Sequence, residues 1–213
     1  MADSELVDVL MPPGFQPSGI VKTRNAAYRD GDWIGTFNLW IVAREPEPAI
    51  IYQMRAPDSS WAPNKLDVSA GGHYTAGESG LDGLREAREE LGKNYAKSAV
   101  KYLGRRLFVG QNTNGTSRNN VASLYLIEDN QPLNSYIQAR AEVYALFALP
   151  VKQLLRLWRD PGYEFLARGL TAAGEPIEMT IRQTSFPPNP DDYHRRMCDL
   201  IRRYLAGECE LNY

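Results

Sequence analysis

An α+β fold, with helices flanking a mixed sheet, is what the 213 residues predict, and three features predict it. Strand-like and helix-like segments follow one another in mixed order, without the regular strand–helix–strand repeat of a doubly wound protein. The segment Trp33 to Val42 sets Phe37, Leu39 and Ile41 on one parity and Asn38, Trp40 and Val42 on the other, a strand buried on much of both faces. Hydrophobic residues make up 43% of the chain against 23% charged, enough to bury a substantial core in one elaborated domain.

The elements follow in order. Pro46 and Pro48 end the first strand, and Ala49 to Met54 is a second, paired with it as a hairpin. Ala56 to Lys65 reads as loop from its Pro, Ser, Asp and Asn content, and Leu66 to Ser69 is a brief third strand. A glycine-rich stretch from Gly71 to Gly80 leads into a helix over Leu81–Leu91. Ser79 three residues before Asp82 reads as its capping box, and Gly92 as its stop. Ala99 to Val109 and Ala122 to Ile127 are strands on either side of a polar stretch, Gln111 to Asn120, that reads as a hairpin turn or flexible loop. Glu142 to Leu149 is a strand and Val151 to Trp158 begins a helix, broken by Pro161 and Gly162. The tail carries a weak strand at Ile177 to Ile181, a run of Pro187, Pro188 and Pro190, and a helix from about Asp191 to Leu205. The organisation expected is an N-terminal extension over 1–32 with an edge strand and a core over 33–160. A C-terminal extension over 161–213, ending in a helix, packs on the same domain.

Composition excludes several classes. A formal net charge of -2 removes the broad basic field of a dedicated nucleic-acid binder. Cys198 and Cys209 are too few to staple the fold, and with only His73 and His194 there is no Cys/His zinc site. The acidic start MADSELVDVLMPPGF reads as neither signal nor transit peptide, and no apolar run approaches a membrane span. The expectation is a cytoplasmic protein without a membrane partner.

The informative segment is Ala70 to Lys93, AGGHYTAGESGLDGLREAREELGK. On one continuous helix at about 100° per residue, Leu81, Leu84, Ala87 and Leu91 share a core face. Glu86, Glu89 and Glu90 fall opposite, and Arg88 lands inside the apolar stripe, where its stem has to snorkel. Glu86 is three and four residues from Glu89 and Glu90, so like charges repel at about 0.2–0.5 kcal/mol per pair. Either a cation compensates them, with Mg²⁺ or Mn²⁺ the ions that hard carboxylate oxygens suit, or they form a solvated acidic face. Glycines directly before the helix let a phosphate approach the main chain, though such turns also occur without a ligand.

The same segment resembles the Nudix box, G-x5-E-x7-R-E-U-x-E-E-x-G-U, with Gly72, Glu78, Arg85, Glu86, Ala87, Glu89, Glu90 and Gly92 at its fixed positions in order. Two departures stand out: six residues separate Glu78 from Arg85 where the pattern has seven, and Lys93 occupies a final aliphatic position. The resemblance implies an α/β/α sandwich around a mixed sheet and hydrolysis of a small nucleoside or organic diphosphate with Mg²⁺ or Mn²⁺. It further implies Glu86, Glu89, Glu90 and Glu78 at the metal, with Arg85 orienting a box glutamate and Gly72 beside the substrate. The stretch from Gly19 to Val42 and the layout around the box are similar to proteins related to isopentenyl-diphosphate isomerase. At the place of the isomerase cysteine stands Gly71, however, and Tyr28 and Ile34 stand where its histidines are expected, which favours hydrolysis over isomerisation. A non-catalytic nucleotide sensor and an RNA-cap enzyme are the other readings within the family. The complete glutamate set counts against the first, and the lack of a basic stripe against the second.

Other residues carry two readings each. His73 contacts metal or phosphate, or braces its loop. Arg55 and Lys65 reach a diphosphate, or are surface charges. Trp61 stacks on a base, or packs. The resemblance leaves the general base to one of the catalytic box glutamates, Glu86, Glu89 or Glu90, or to Glu142, which at a strand start is otherwise simply solvated. The stripe of Tyr193, Met197, Ile201 and Leu205 is packing or a homodimer contact.

Overall fold

The computed structural model describes residues 5–112, 114–188 and 191–213. Residues 1–4 of the N-terminal extension, Thr113 of the polar stretch and Pro190 of the proline run lie outside the described residues. Eleven strands form one mixed sheet. Its axis is β3 (Trp33–Ala43), as the double-parity burial predicts. One edge of β3 is taken along its length by β8 (Ser117–Glu128), which runs parallel from Trp33↔Asn119 to Val42↔Glu128. The other edge is shared by three strands in succession: β1 (Leu6–Met11) at Ile34, β6 (Ala70–His73) from Thr36 to Leu39, and β4 (Ala49–Arg55) from Ile41 to Ala43. β2 (Gln16–Thr23) extends the sheet beyond β1, and β7 (Lys101–Gln111) beyond β8. β9 (Val143–Pro150), β10 (Phe165–Thr171) and β11 (Pro176–Ile181) add to β4 in turn, while β5 (Leu66–Asp67) pairs with the end of β4.

Alternating side chains feed two cores, one on each face, which is the α/β/α arrangement the sequence implies. Phe37, Leu39 and Ile41 join Tyr125, Ile127, Ala87 and Leu91 beneath α2 (Arg85–Leu91). Trp40 and Val42 join Tyr52, Leu124, Phe147, Leu154, Met197 and Ile201 beneath α3 (Val151–Arg159) and α4 (Tyr193–Leu205). Tyr193, Met197 and Ile201 are therefore packed within the chain. A short helix, α1 (Arg24–Asp30), capped by the Thr23 hydroxyl accepting from Ala26 N–H, packs Ala27 and Tyr28 against Val7 and Ile34. No helix among the described residues is long and apolar enough to cross a membrane.

Three expectations are corrected. The box helix is not continuous from Leu81: a 3-10 turn, Gly80–Leu84, precedes α2, because Gly83 passes so close to Phe37 that a Cβ there would lie 2.4 Å from the ring. Leu81 and Leu84 therefore do not set the phase of α2. Arg88 is exposed, and the buried arc runs from Ala87 and Leu91 through Glu90 to Glu86. The polar stretch Gln111 to Asn120 does carry the expected hairpin turn, between β7 and β8, which pair antiparallel from Gln111↔Ser117, but the turn is shorter than the stretch: Ser117–Asn120 already belongs to β8, and from Asn119 on it also pairs with β3. α1, β10 and the β1–β2 hairpin have no counterpart in the predicted elements beyond the edge strand expected over 1–32.

Candidate active site

The cleft opens where β6 replaces β4 along β3. The Ser69 hydroxyl fills the parting of the two ladders, accepting from Ile41 N–H at 2.8 Å and donating to Ile51 O. Beyond it the chain enters β6, whose two glycines meet α2 at close range. A Cβ on Gly72 would lie 2.1 Å from Glu86 Oε1, so only glycine leaves room for that carboxylate. Gly71 N–H donates to Glu90 Oε2 at 2.9 Å. Two main-chain positions of β6 thereby seat two carboxylates one helical turn apart.

Glu86 is 7% exposed and Glu90 4%, whereas the Glu89 side chain is 48% exposed, so the predicted acidic face divides into two buried groups and one at the rim. Burial pushes the Glu86 carboxyl up to about 7; Arg85 pulls it down, and Glu89, Glu142 and Glu5 push it further up. Glu90 is driven well above the carboxylate range by burial and by Glu86, against the opposing Gly71 N–H. Glu86 has the Arg85 guanidinium at 2.8 Å, whereas Glu90 is buried with the Gly71 N–H as its hydrogen-bond donor.

Arg85 is the brace the sequence reading expects. It contacts Glu78 at 2.9 Å, Glu86 at 2.8 Å and Glu89 at 3.1 Å, and donates to His73 O at 2.8 Å. The shortened turn of the box still delivers Glu78 to Arg85. Burial raises the Glu78 carboxyl, but Arg85 and the Thr75 N–H hold it below its usual range. Glu78 does not line the cleft; it stands behind Arg85, which separates it from Glu86 and Glu90.

His73 has both ring nitrogens engaged: Arg24 approaches Nδ1 at 3.3 Å and Tyr28 Oη lies 2.5 Å from Nε2. An arginine only donates, so Nδ1 accepts, Nε2–H donates to Tyr28, and the Tyr28 hydroxyl donates onward to Asn120 Oδ1 at 3.2 Å. Burial, then Arg118, Arg24, Arg55 and Arg85, hold the ring neutral with its pKa well below the usual value. Of the two readings of His73, loop bracing is the one with partners in the structure.

The remaining candidates separate. Arg55 lines the cleft but also ties its loop, donating to Trp61 O at 2.8 Å and Ser59 Oγ at 2.6 Å. Lys65 is not among the residues that line the cleft, and its ammonium donates to Thr184 O at 2.6 Å. Glu142, exposed just before β9, lines the same cleft and is close enough to raise the carboxyls of Glu86 and Glu90. Trp61 packs edge-on against Phe108 at 5.3 Å. Sequence reasoning missed Glu5, ion-paired to Arg24 at 2.8 Å, and Arg118, Asn120 and Tyr28. Arg118 and Asn120 carried no signal of their own, because the polar run that holds them reads as turn or loop.

The cleft has a volume of about 1060 Å³, and Glu86, Glu90 and Glu142 line it together with Arg24, Arg55 and Arg118. No three His, Cys, Asp or Glu side chains among the described residues are grouped to hold an ion unaided. The donors that converge, Glu86 and Glu90, are hard oxygens, the chemistry of Mg²⁺ or Mn²⁺ sites that waters and substrate oxygens complete. At Gly71 a Cβ would lie 2.7 Å from Phe37 O, so the place of the isomerase cysteine has no room for a side chain.

No family model matches the chain. An uncharacterized Nudix hydrolase of Clostridium acetobutylicum is 32% identical over 182 residues, 82% of this chain and 86% of that protein. Nudix hydrolase 3 of Arabidopsis thaliana is 30% identical over 165 residues, 75% of this chain but only 21% of that protein. Among solved structures, a Deinococcus radiodurans protein superposes with a TM-score of 0.54 at 21% identity, covering 93% of this chain and 98% of its own. A Nudix hydrolase from Alicyclobacillus acidocaldarius gives 0.50 at 13% identity, covering 85% and 97%. The structural likenesses speak for the fold, and the sequence identity, sustained over most of both chains in the clostridial relative, makes this chain a member of the Nudix hydrolase family.

Proposed function

We propose that the chain hydrolyses the diphosphate linkage of a small nucleoside or organic diphosphate derivative, using Mg²⁺ or Mn²⁺ held by Glu86 and Glu90, with Glu89 and Glu142 at the rim. The observation that carries this reading is that the buried Glu86 and Glu90 share one cleft with Arg24, Arg55 and Arg118. A divalent ion bound there neutralises charge on the phosphate oxygens and lowers the pKa of water.

The chain's own groups do the rest. Arg85 fixes the rotamer of Glu86 from the side, and Gly71 N–H fixes Glu90, so neither carboxylate reorganises when substrate binds. Gly72 lets the main chain approach the phosphates. The neutral His73, locked between Arg24 and Tyr28, keeps the β6 end rigid. Glu142, solvent-exposed and lining the same cleft, takes the proton of the attacking water. Glu78 acts through Arg85.

The test is turnover of the full chain on nucleoside triphosphates, ADP-ribose, dinucleotides, cap analogues, thiamine diphosphate and prenyl diphosphates, with Mg²⁺, with Mn²⁺ and with a chelator. Metal-dependent hydrolysis of at least one compound supports the reading. Tight binding of one compound with no turnover of any would replace it with a sensing role.

A further inference from the structure

We propose that Arg118 binds the phosphoryl group of the substrate remote from Glu86 and Glu90, taking its oxygens in the fork of the guanidinium. The inference rests on the diphosphate-hydrolase reading and deepens it by naming the residue that sets phosphate affinity.

Arg118 is the second residue of β8, held on a sheet strand rather than a loop. Its guanidinium carbon lies 5.6 Å from the Tyr28 ring and 5.2 Å from the Trp61 ring, and Nη1 donates to Asn112 Oδ1 at 3.2 Å. Among the described residues it has no ion-pair partner, in contrast to Arg24 with Glu5 at 2.8 Å, Arg55 with Asp67 at 3.7 Å and Arg106 with Asp191 at 2.7 Å. An arginine offers five donors, and a half-buried one without a carboxylate keeps most of them for a ligand. Burial lowers the Arg118 pKa, with Arg55 and Arg24 acting in the same direction and Tyr28 and Asp67 against it. Arg24 and Arg55 are each paired with a carboxylate, so of these three cleft arginines it is Arg118 that, among the described residues, has its guanidinium fork open to an entering anion.

Position fits the role. Tyr28, which Arg118 overlies, is bonded to His73, and His73 follows the Gly72 on which Glu86 rests. Arg118, Glu86 and Glu90 line the same cleft, linked through Tyr28 and His73. The planar fork matches a phosphate bidentately, which lysine does not. A purely structural role, stacking on Trp61 and Tyr28, is the competing explanation.

Inorganic pyrophosphate, titrated calorimetrically into the metal-free full chain, separates the two. The proposal expects binding by the wild type, a loss of about 10-fold or more in Arg118→Gln, and a smaller loss in Arg118→Lys. On a hydrolysed substrate it expects KM to rise about 10-fold with kcat changed much less. In the wild type, phenylglyoxal labelling of Arg118 followed by peptide mapping is suppressed by pyrophosphate, a readout that holds even if the variants fail to fold. Equal pyrophosphate affinity in folded wild type and Arg118→Gln, absence of binding to the wild type, or unprotected labelling overturns it. If no diphosphate compound is hydrolysed but pyrophosphate binding still needs Arg118, the anion site stands and the hydrolase reading falls. Hydrolysis indifferent to Arg118 means the reverse.

Discussion

Substituting alanine for Gly72 separates positioning from stability at this site. The backbone of Gly72 is not in the left-handed region, so alanine meets no torsional penalty there. Its Cβ, however, would stand 2.1 Å from Glu86 Oε1 and 2.3 Å from Glu86 Cδ, so the carboxylate must retreat by about 1 Å or more to reach ordinary contact. What moves is the tip of a side chain rather than the sheet. The smaller entropy of the unfolded alanine chain returns about 0.4–1 kcal/mol, so stability should change by less than about 1 kcal/mol. A displacement of that size next to reacting atoms lowers a rate by about 10²-fold, or about 2.7 kcal/mol of barrier. The assay is kcat/KM at saturating Mg²⁺ alongside urea unfolding of the same preparation. A folded Gly72→Ala with wild-type turnover would refute the claim that Glu86 must rest on residue 72. Global unfolding of the variant would refute the claim that only the carboxylate yields.

Gly83→Ala is the control, since its Cβ would lie 2.4 Å from the fully buried Phe37 ring, which has nowhere to go; urea unfolding should show a loss of about 1–3 kcal/mol. Glu90→Gln removes a buried charge beside Glu86, so metal-free melting at pH 8 should be unchanged or higher while metal-dependent turnover falls by at least about 100-fold; a small rate change would sink the metal assignment. His194, 2% exposed, has its pKa lowered to about 4 by burial, with Asp67 and Asp191 raising it and Arg106 lowering it. A base depressed in the folded state stabilises above its unfolded pKa and ceases to as pH falls. Relative to His194→Gln, the wild type should therefore lose about 2 kcal/mol between pH 7.5 and 5 in denaturant titrations, and equal slopes for the two proteins would contradict this.

The sequence showed the parts that obey a period or a motif. β3 was legible because residues of both parities are apolar, and the order of Gly72, Glu78, Arg85, Glu86, Glu89 and Glu90 survives folding as one brace and one carboxylate pair. The rotational phase of α2 was not legible. It depends on Gly83 closing against Phe37, a tertiary contact that shortens the helix and swings Glu86 and Glu90 toward the interior. Arg118 was hidden for a related reason: a polar run, QNTNGTSRNN, reads as loop, yet its second half is a strand whose polar groups face a cleft instead of a core. Lys65, placed by its loop position to reach a diphosphate, instead gives its ammonium to Thr184 O, a contact across 119 residues that local sequence does not show. Glu5 lies far from the box in sequence and enters only because the β1–β2 hairpin joins the same sheet.

The most direct test of the central claim is Mn²⁺ binding, followed by electron paramagnetic resonance, in the wild type and in the double variant Glu86→Gln/Glu90→Gln, both shown to be folded by circular dichroism. The two buried carboxylates predict saturable Mn²⁺ binding that weakens by at least about 10-fold in the double variant. Indistinguishable titrations of the two folded proteins would mean that the Glu86–Glu90 pair holds no ion.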